Sequence, residues 1–130
     1  MKIAVLAARV LLGLMFFVFG LNNILHFLPM PMPGGDAGLF MGLLATHKYL
    51  TFVALLQIIG GLLLLVGRYV PLALTILGPI VVNILLFHIL FEPSGVAIGL
   101  VTLVLEVFLI FIYRASFRGL FASAPEGIKS

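Results

Sequence analysis

The sequence predicts an all-α fold: an integral membrane four-helix bundle with a short interfacial helix between helices one and two. Two observations predict it. Hydrophobic residues make up 64% of the 130-residue chain and charged residues only 8%, whereas soluble domains carry roughly 25% charged residues. The apolar residues also fall into four long runs, each near the ~20 residues that a helix needs to cross a hydrocarbon core of ~30 Å. A chain this short buries only a modest fraction of its surface on folding. Most of that apolar surface must therefore meet lipid.

The first run is expected over residues 3–28, interrupted by Arg9, Asn22, Asn23 and His26. Arg9 breaks the run too early for a signal peptide, and no small-residue cleavage pattern follows, so the segment reads as an uncleaved transmembrane helix. Prolines 29, 31 and 33 then stop it and favour an extended stretch. Asp36 is placed to cap a short helix through Thr46, about residues 36–46. That piece is too short to span and reads as interfacial or partly re-entrant. Residues 49–67 form the second span, with Gln57 as its strongly polar residue. Residues 70–90 form the third, with Asn83, His88 and an internal Pro79 that kinks it. Residues 96–113 form the fourth, carrying Glu106, and a short basic tail follows over 114–130. Composition marks no linker, so residues 1–130 read as one transmembrane domain.

Charge sets the expected orientation. Four spans place Lys2, Arg9, Arg68, Arg114, Arg118 and Lys129 at one end, and Lys48, Asp36 and Glu92 at the other. Basic residues stay on the cytoplasmic side. Both termini are expected in the cytoplasm, with a bacterial inner membrane as the location.

Several classes of function are excluded. Without cysteine there is no disulfide, thiolate metal site or thiolate-ligated cofactor. No phosphate-cradling loop, nucleophile elbow or basic–aromatic run for nucleic acid is present. The histidines follow no metal-ligand spacing, so no metal site is assigned.

Polar groups inside a bilayer are costly and are functional candidates by default. Arg9 and Glu106 lie at similar depths, about 10 Å from the terminal end at 1.5 Å per residue, and are expected to pair across helices. The alternatives are a carboxyl at Glu106 that carries protons or anchors a ligand, and a neutral acid that is merely hydrogen-bonded. A second group gathers at the opposite end: Asn22, Asn23, His26, His47, Gln57, Asn83, His88 and Glu92. Asn22 and His26 share a helical face, as do His88 and Glu92. Imidazole accepts and donates protons near neutral pH, so this group is a candidate site for a quinone, a lipid headgroup or another small molecule. Interfacial histidines that simply cap helix ends are the alternative. Gly13, Gly20, Gly60, Gly61, Gly95 and Gly99 sit at spacings that let helix backbones approach closely. They favour packing against lipid-embedded neighbours: other membrane protein subunits or a second copy of the chain.

Arg9-Val-Leu-Leu-Gly13 with Phe19-Gly20-Leu21, the run Gln57-Ile-Ile-Gly60-Gly61 through Gly67-Arg68, and Pro71 together resemble the DoxX-like family of small four-helix membrane proteins, over roughly residues 5–120. That family often carries a lysine late in helix one, where Asn22-Asn23 stands here, and a glutamate where Gln57 stands. The resemblance implies association with membrane redox chemistry, with subunits near thiosulfate–quinone oxidation and partners of oxidative-stress enzymes. Relatives of the wider group act in assembly of other membrane proteins. The expected role is an accessory subunit of a larger redox- or quinone-linked membrane complex. The alternatives are an oxidoreductase or quinone-binding protein that uses the His/Asn/Glu set, and a small transporter coupled through Glu106.

Overall fold

A computed structural model describes residues 1–28, 33–124 and 127. Pro29–Met32, where the proline-directed extended stretch is expected, and Lys129, one of the basic residues used for orientation, lie outside the described residues. The helices are α1 (Lys2–Leu25), α2 (Gly35–Thr46), α3 (Tyr49–Val66), α4 (Val70–Leu90) and α5 (Val96–Ile112). Single 3-10 segments cover Pro93–Gly95 and Arg114–Phe121. No strand occurs among the described residues. Four helices are long and apolar enough to cross a membrane: α1, α3, α4, and α5 extended back to Pro93.

α1 stops at Leu25, before the prolines, because His26 takes a left-handed conformation at φ 55° and returns its N–H to the Asn22 carbonyl. Gly67 ends α3 in the same way at φ 81°, with its N–H on the Leu63 carbonyl. Glycine adopts that conformation without steric penalty. α2 begins one residue earlier than expected. Its N-cap is Gly34 with no side-chain hydrogen bond, and Asp36 lies inside the first turn instead of capping it. There its charge faces the positive end of the helix dipole.

The four spans form a closed ring in the order α1–α3–α4–α5, with α2 against α3. Consecutive members of the ring run antiparallel. The tightest seam is α1 on α3, and its cause is the absence of side chains. A Cβ at Gly61 would lie 2.7 Å from both the Gly13 oxygen and the Phe17 nitrogen. Farther along, a Cβ at Gly20 would lie 3.0 Å from the Ala54 oxygen and 3.1 Å from Gln57 Cβ. Gly60 makes room for Leu77 of α4, while Gly95 of the 3-10 segment and Gly99 of α5 make room for His88 and Leu85 of α4. The close approaches at these glycines are therefore made within one chain.

The bundle is filled unevenly. Ala8, Leu12 and Phe16 of α1, Leu64 of α3, Val70, Ala73, Leu74, Leu77, Ile80 and Val81 of α4, and Leu109 of α5 build the core, which Phe117 closes from the last 3-10 segment. Most of these lie toward the end that holds the N-terminus, with Phe16 and Ile80 at mid-bundle. Outward-facing residues such as Leu11, Phe52, Leu55, Ile59, Leu72, Val82, Val104 and Phe111 stay exposed, as a lipid-facing belt requires. Exposed Tyr49 at one end and Tyr69 at the other sit where aromatic rings meet the headgroup layer.

Adding a methyl group to the glycine seam should be destabilising. Gly61→Ala is expected to lower stability by about 1–3 kcal/mol, the usual penalty of overpacking. Gly42→Ala, where a Cβ meets nothing within 4 Å, should leave stability unchanged or raise it. Unfolding curves of the two variants in detergent check this.

Candidate functional site

The polar residues singled out in the sequence converge. Asn22, Asn23 and His26 of α1 and its cap, Gln57 of α3, Asn83 and His88 of α4, and Glu92 after it all line one cavity of about 1020 Å³. It occupies the half of the bundle opposite the packed core. His47 alone of the expected set is absent from the lining. It closes α2 as an exposed C-cap residue instead. A smaller recess of about 300 Å³ adjoins the cavity beside Asn23, His26, Lys48 and Thr51.

The walls are otherwise apolar and aromatic. Phe16 and Phe19 come from α1, Phe40 and Met41 from α2, Val53 from α3, Ile80 and Phe87 from α4, and Ile98 and Thr102 from α5. α2 is anchored across this end by a ring stack. Phe40 lies 5.4 Å from Phe91 and 5.9 Å from Phe87, measured between centroids, with rings within 26° of parallel. These aromatic residues and the contribution of α2 were not singled out in the sequence. The four-residue spacing of Phe87 and Phe91 is a visible signal, but Phe40 joins them only through tertiary placement.

Hydrogen bonding fixes most of the polar side chains. Asn22 is buried, and its Oδ1 accepts from the Leu28 N–H at 2.7 Å, which ties the chain leaving α1 back onto the helix. Asn23 Nδ2 donates to Gln57 Oε1 at 3.3 Å across the α1–α3 seam. Asn83 Nδ2 donates to the Pro79 carbonyl at 2.8 Å. Proline at 79 has no N–H, and the Asn83 side chain occupies the carbonyl of the same residue. His88 Nδ1 lies 3.2 Å from the Glu92 backbone oxygen. A carbonyl only accepts, so Nδ1 carries the hydrogen of that bond. Ser94 Oγ donates to Glu92 Oε1. The His88 ring lies against Gly95, where a Cβ would fall 2.4 Å from its Nδ1, so glycine at 95 is what admits the imidazole.

Among the described residues no hydrogen bond joins the expected pair of Arg9 and Glu106. Glu106 is only 3% exposed, and among the described residues neither carboxyl oxygen has a hydrogen-bond partner. It faces α4, with Oε2 3.5 Å from the position of a Cβ on Gly78. Arg9 turns elsewhere: its Nη1 is 2.7 Å from the position of a Cβ on Gly67, and its Nε is buried without a partner. The guanidinium thus sits at the C-terminal end of α3, where the helix dipole favours a cation. Equal depth did not bring the two groups together, because they face different neighbours around the ring. Glu106 also lies outside the cavity lining, one turn beneath Thr102 on α5.

Among the described residues no group of His, Cys, Asp and Glu is placed to hold a metal ion. No family model matches the chain, and no solved structure matches it. Over 80 residues, 62% of this chain, it is 30% identical to the Bacillus subtilis (strain 168) protein named "Uncharacterized protein YwoB". The match spans 52% of that relative, about half its length. The chain is thus an all-α integral membrane protein similar to a second small protein, and the resemblance to the DoxX-like family rests on the motifs quoted above.

Because Glu106 has no hydrogen-bonded partner among the described residues, E106Q should keep near-wild-type stability. Breaking a buried ion pair from one side costs about 3–5 kcal/mol. A loss of that size in the unfolding curve of E106Q would mean that the pair forms after all.

Proposed function

We propose that this protein binds an amphipathic molecule of the quinone class in the cavity between its four spans. The observation that carries the reading is the convergence of amide and imidazole groups from three separate spans on one cavity with aromatic and aliphatic walls. Ligand sites have this composition: mostly apolar surface with a few converging polar groups. The polar lining disfavours a phosphate headgroup. Its fixed charge is the Glu92 carboxylate, while Lys48 lies in the neighbouring recess. A flat ring bearing carbonyl or hydroxyl groups suits both the Phe40, Phe87 and Phe91 surface and the amides, and its alkyl tail suits the aliphatic wall. The likeness to DoxX-like proteins, with their link to quinone chemistry, points the same way.

The accessory-subunit role loses its main support, because the glycine faces that favoured it pack against helices of the same chain. Coupled transport through Glu106 is disfavoured, since its carboxyl does not reach the cavity wall.

Titration of the detergent-purified protein with a short-chain alkyl benzoquinone tests the reading. Binding should saturate, and Gln57→Leu should weaken it about tenfold, the worth of one well-formed hydrogen bond. The lipid-facing Leu55→Ala should leave it unchanged. Partitioning that never saturates, or that ignores Gln57, would remove the proposal.

The proposed setting is a bacterial inner membrane with both termini cytoplasmic, supported by the basic residues at the terminal end. The chain has no cysteine, so single-cysteine labelling is unambiguous. S94C should react with an impermeant maleimide in intact cells, and S116C only after permeabilisation. The reverse pattern would invert the topology.

A further inference from the structure

His88 differs from the other polar groups of the cavity in having its hydrogen-bonding sense set by the backbone. Its Nδ1 donates at 3.2 Å to the Glu92 carbonyl oxygen, four residues on and past the end of α4, and that oxygen accepts the Gly95 N–H at 3.2 Å as well. In the neutral imidazole the second nitrogen, Nε2, then carries a lone pair and no hydrogen. The ring cannot turn over to exchange the two roles without breaking the bond to Glu92. It is also held from the side. Phe87 meets it edge to face at 5.3 Å, Gly95 lies against its Nδ1–Cε1 edge, and a Cβ on Gly99 would be 3.8 Å from its Cδ2. His88 lines the cavity, and among the described residues only its Nδ1 is engaged, which leaves Nε2 without a hydrogen-bond partner there. The α4 wall therefore presents a fixed acceptor. By contrast, the amide pair of Asn23 and Gln57 opposite still has both donor and acceptor atoms to offer, since only one N–H and one oxygen are used between them.

We propose that His88 Nε2 selects the hydroxyl-bearing, reduced form of the cavity's ligand: a quinol, whose O–H donates to Nε2, in preference to the quinone, which has only acceptor oxygens there. The inference rests on the quinone-class reading above and adds which oxidation state the site holds. Two acceptors facing each other leave both unsatisfied, and burying an unmatched acceptor pair is unfavourable. Sites built to hydrogen-bond a hydroxyl reject analogues that lack it for this reason. On the opposite wall the quinol's second oxygen meets amides that accommodate either form, so the discrimination resides at His88. Only a hydrogen bond forms in this step; no proton or electron is transferred.

The test compares the affinities of a short-chain alkyl benzoquinone and its quinol, under anaerobic conditions, for the wild type, H88N and H88Q. An asparagine amide nitrogen can reproduce the bond that Nδ1 gives to Glu92 but leaves nothing at the Nε2 position. A glutamine oxygen can reach that position and accept. The wild type should prefer the quinol by about tenfold or more, as one hydrogen bond implies. H88N should bind both forms alike, and H88Q should regain part of the preference. A purely structural role for the imidazole would weaken both forms together and leave their ratio unmoved. Ring-nitrogen NMR of His88 should show a protonated Nδ1 and a bare Nε2 whose signal shifts on adding quinol but not quinone. Equal wild-type affinity for the two forms, or an H88N variant that keeps the preference, overturns the inference while the ligand class stands. Saturable binding of neither form removes the ligand class, and the inference with it.

Discussion

The contact on which the rest of the structure depends is the direct approach of two backbones, α1 and α3, at Gly13 and Gly61. A single Cβ on either residue would fall within 2.9 Å of a main-chain oxygen across the seam. In lipid, helices gain nothing from hiding apolar side chains from water, so close van der Waals packing has to supply the association. The pair formed in this way acts as a fixed frame. It sets Asn23 beside Gln57, brings the Arg9 guanidinium to the end of α3 at Gly67, and leaves α4 and α5 to close the ring on the other side.

That ring is packed at one end and hollow at the other. Toward the terminal end, Leu12, Leu64, Leu74, Leu77 and Leu109 are fully buried and interlock. Toward the opposite end, the residues facing inward are amides, imidazole and large aromatics; local backbone groups hold Asn22, Asn83 and His88, while Asn23 and Gln57 hold each other. α2 lies across this end by stacking Phe40 on α4. The cavity follows from the change in side-chain chemistry along the same four helices.

Much of this was legible in the sequence. Hydropathy located all four spans to within a few residues, because in lipid the backbone must satisfy its own hydrogen bonds and only long helices do so. The clustering of asparagines, glutamine and histidines at one end was readable as well, since depth follows directly from residue count. Direction around a helix axis was harder to read. Arg9 and Glu106 share a depth, yet one faces Gly67 and the other Gly78, and the niches that drew them there are tertiary. The glycine patterns were recognisable as packing surfaces, but whether a stripe meets its own chain or another is set by the ring order of the helices. His47 has the same chemistry as His26 and His88, yet it ends a helix that meets the bundle by another face. The fixed sense of the His88 ring depends on where α4 frays, which hydropathy does not resolve.

The central claim is that the hollow end of the bundle is a binding site, and a density map of the protein in a bilayer nanodisc made from its native membrane tests it most directly. Elongated non-protein density is expected inside the ring, with its polar end between Gln57 and His88 and its tail along the aliphatic wall. A map in which α2 and α5 have closed inward, so that Phe40 and Ile98 fill the space themselves, would contradict it.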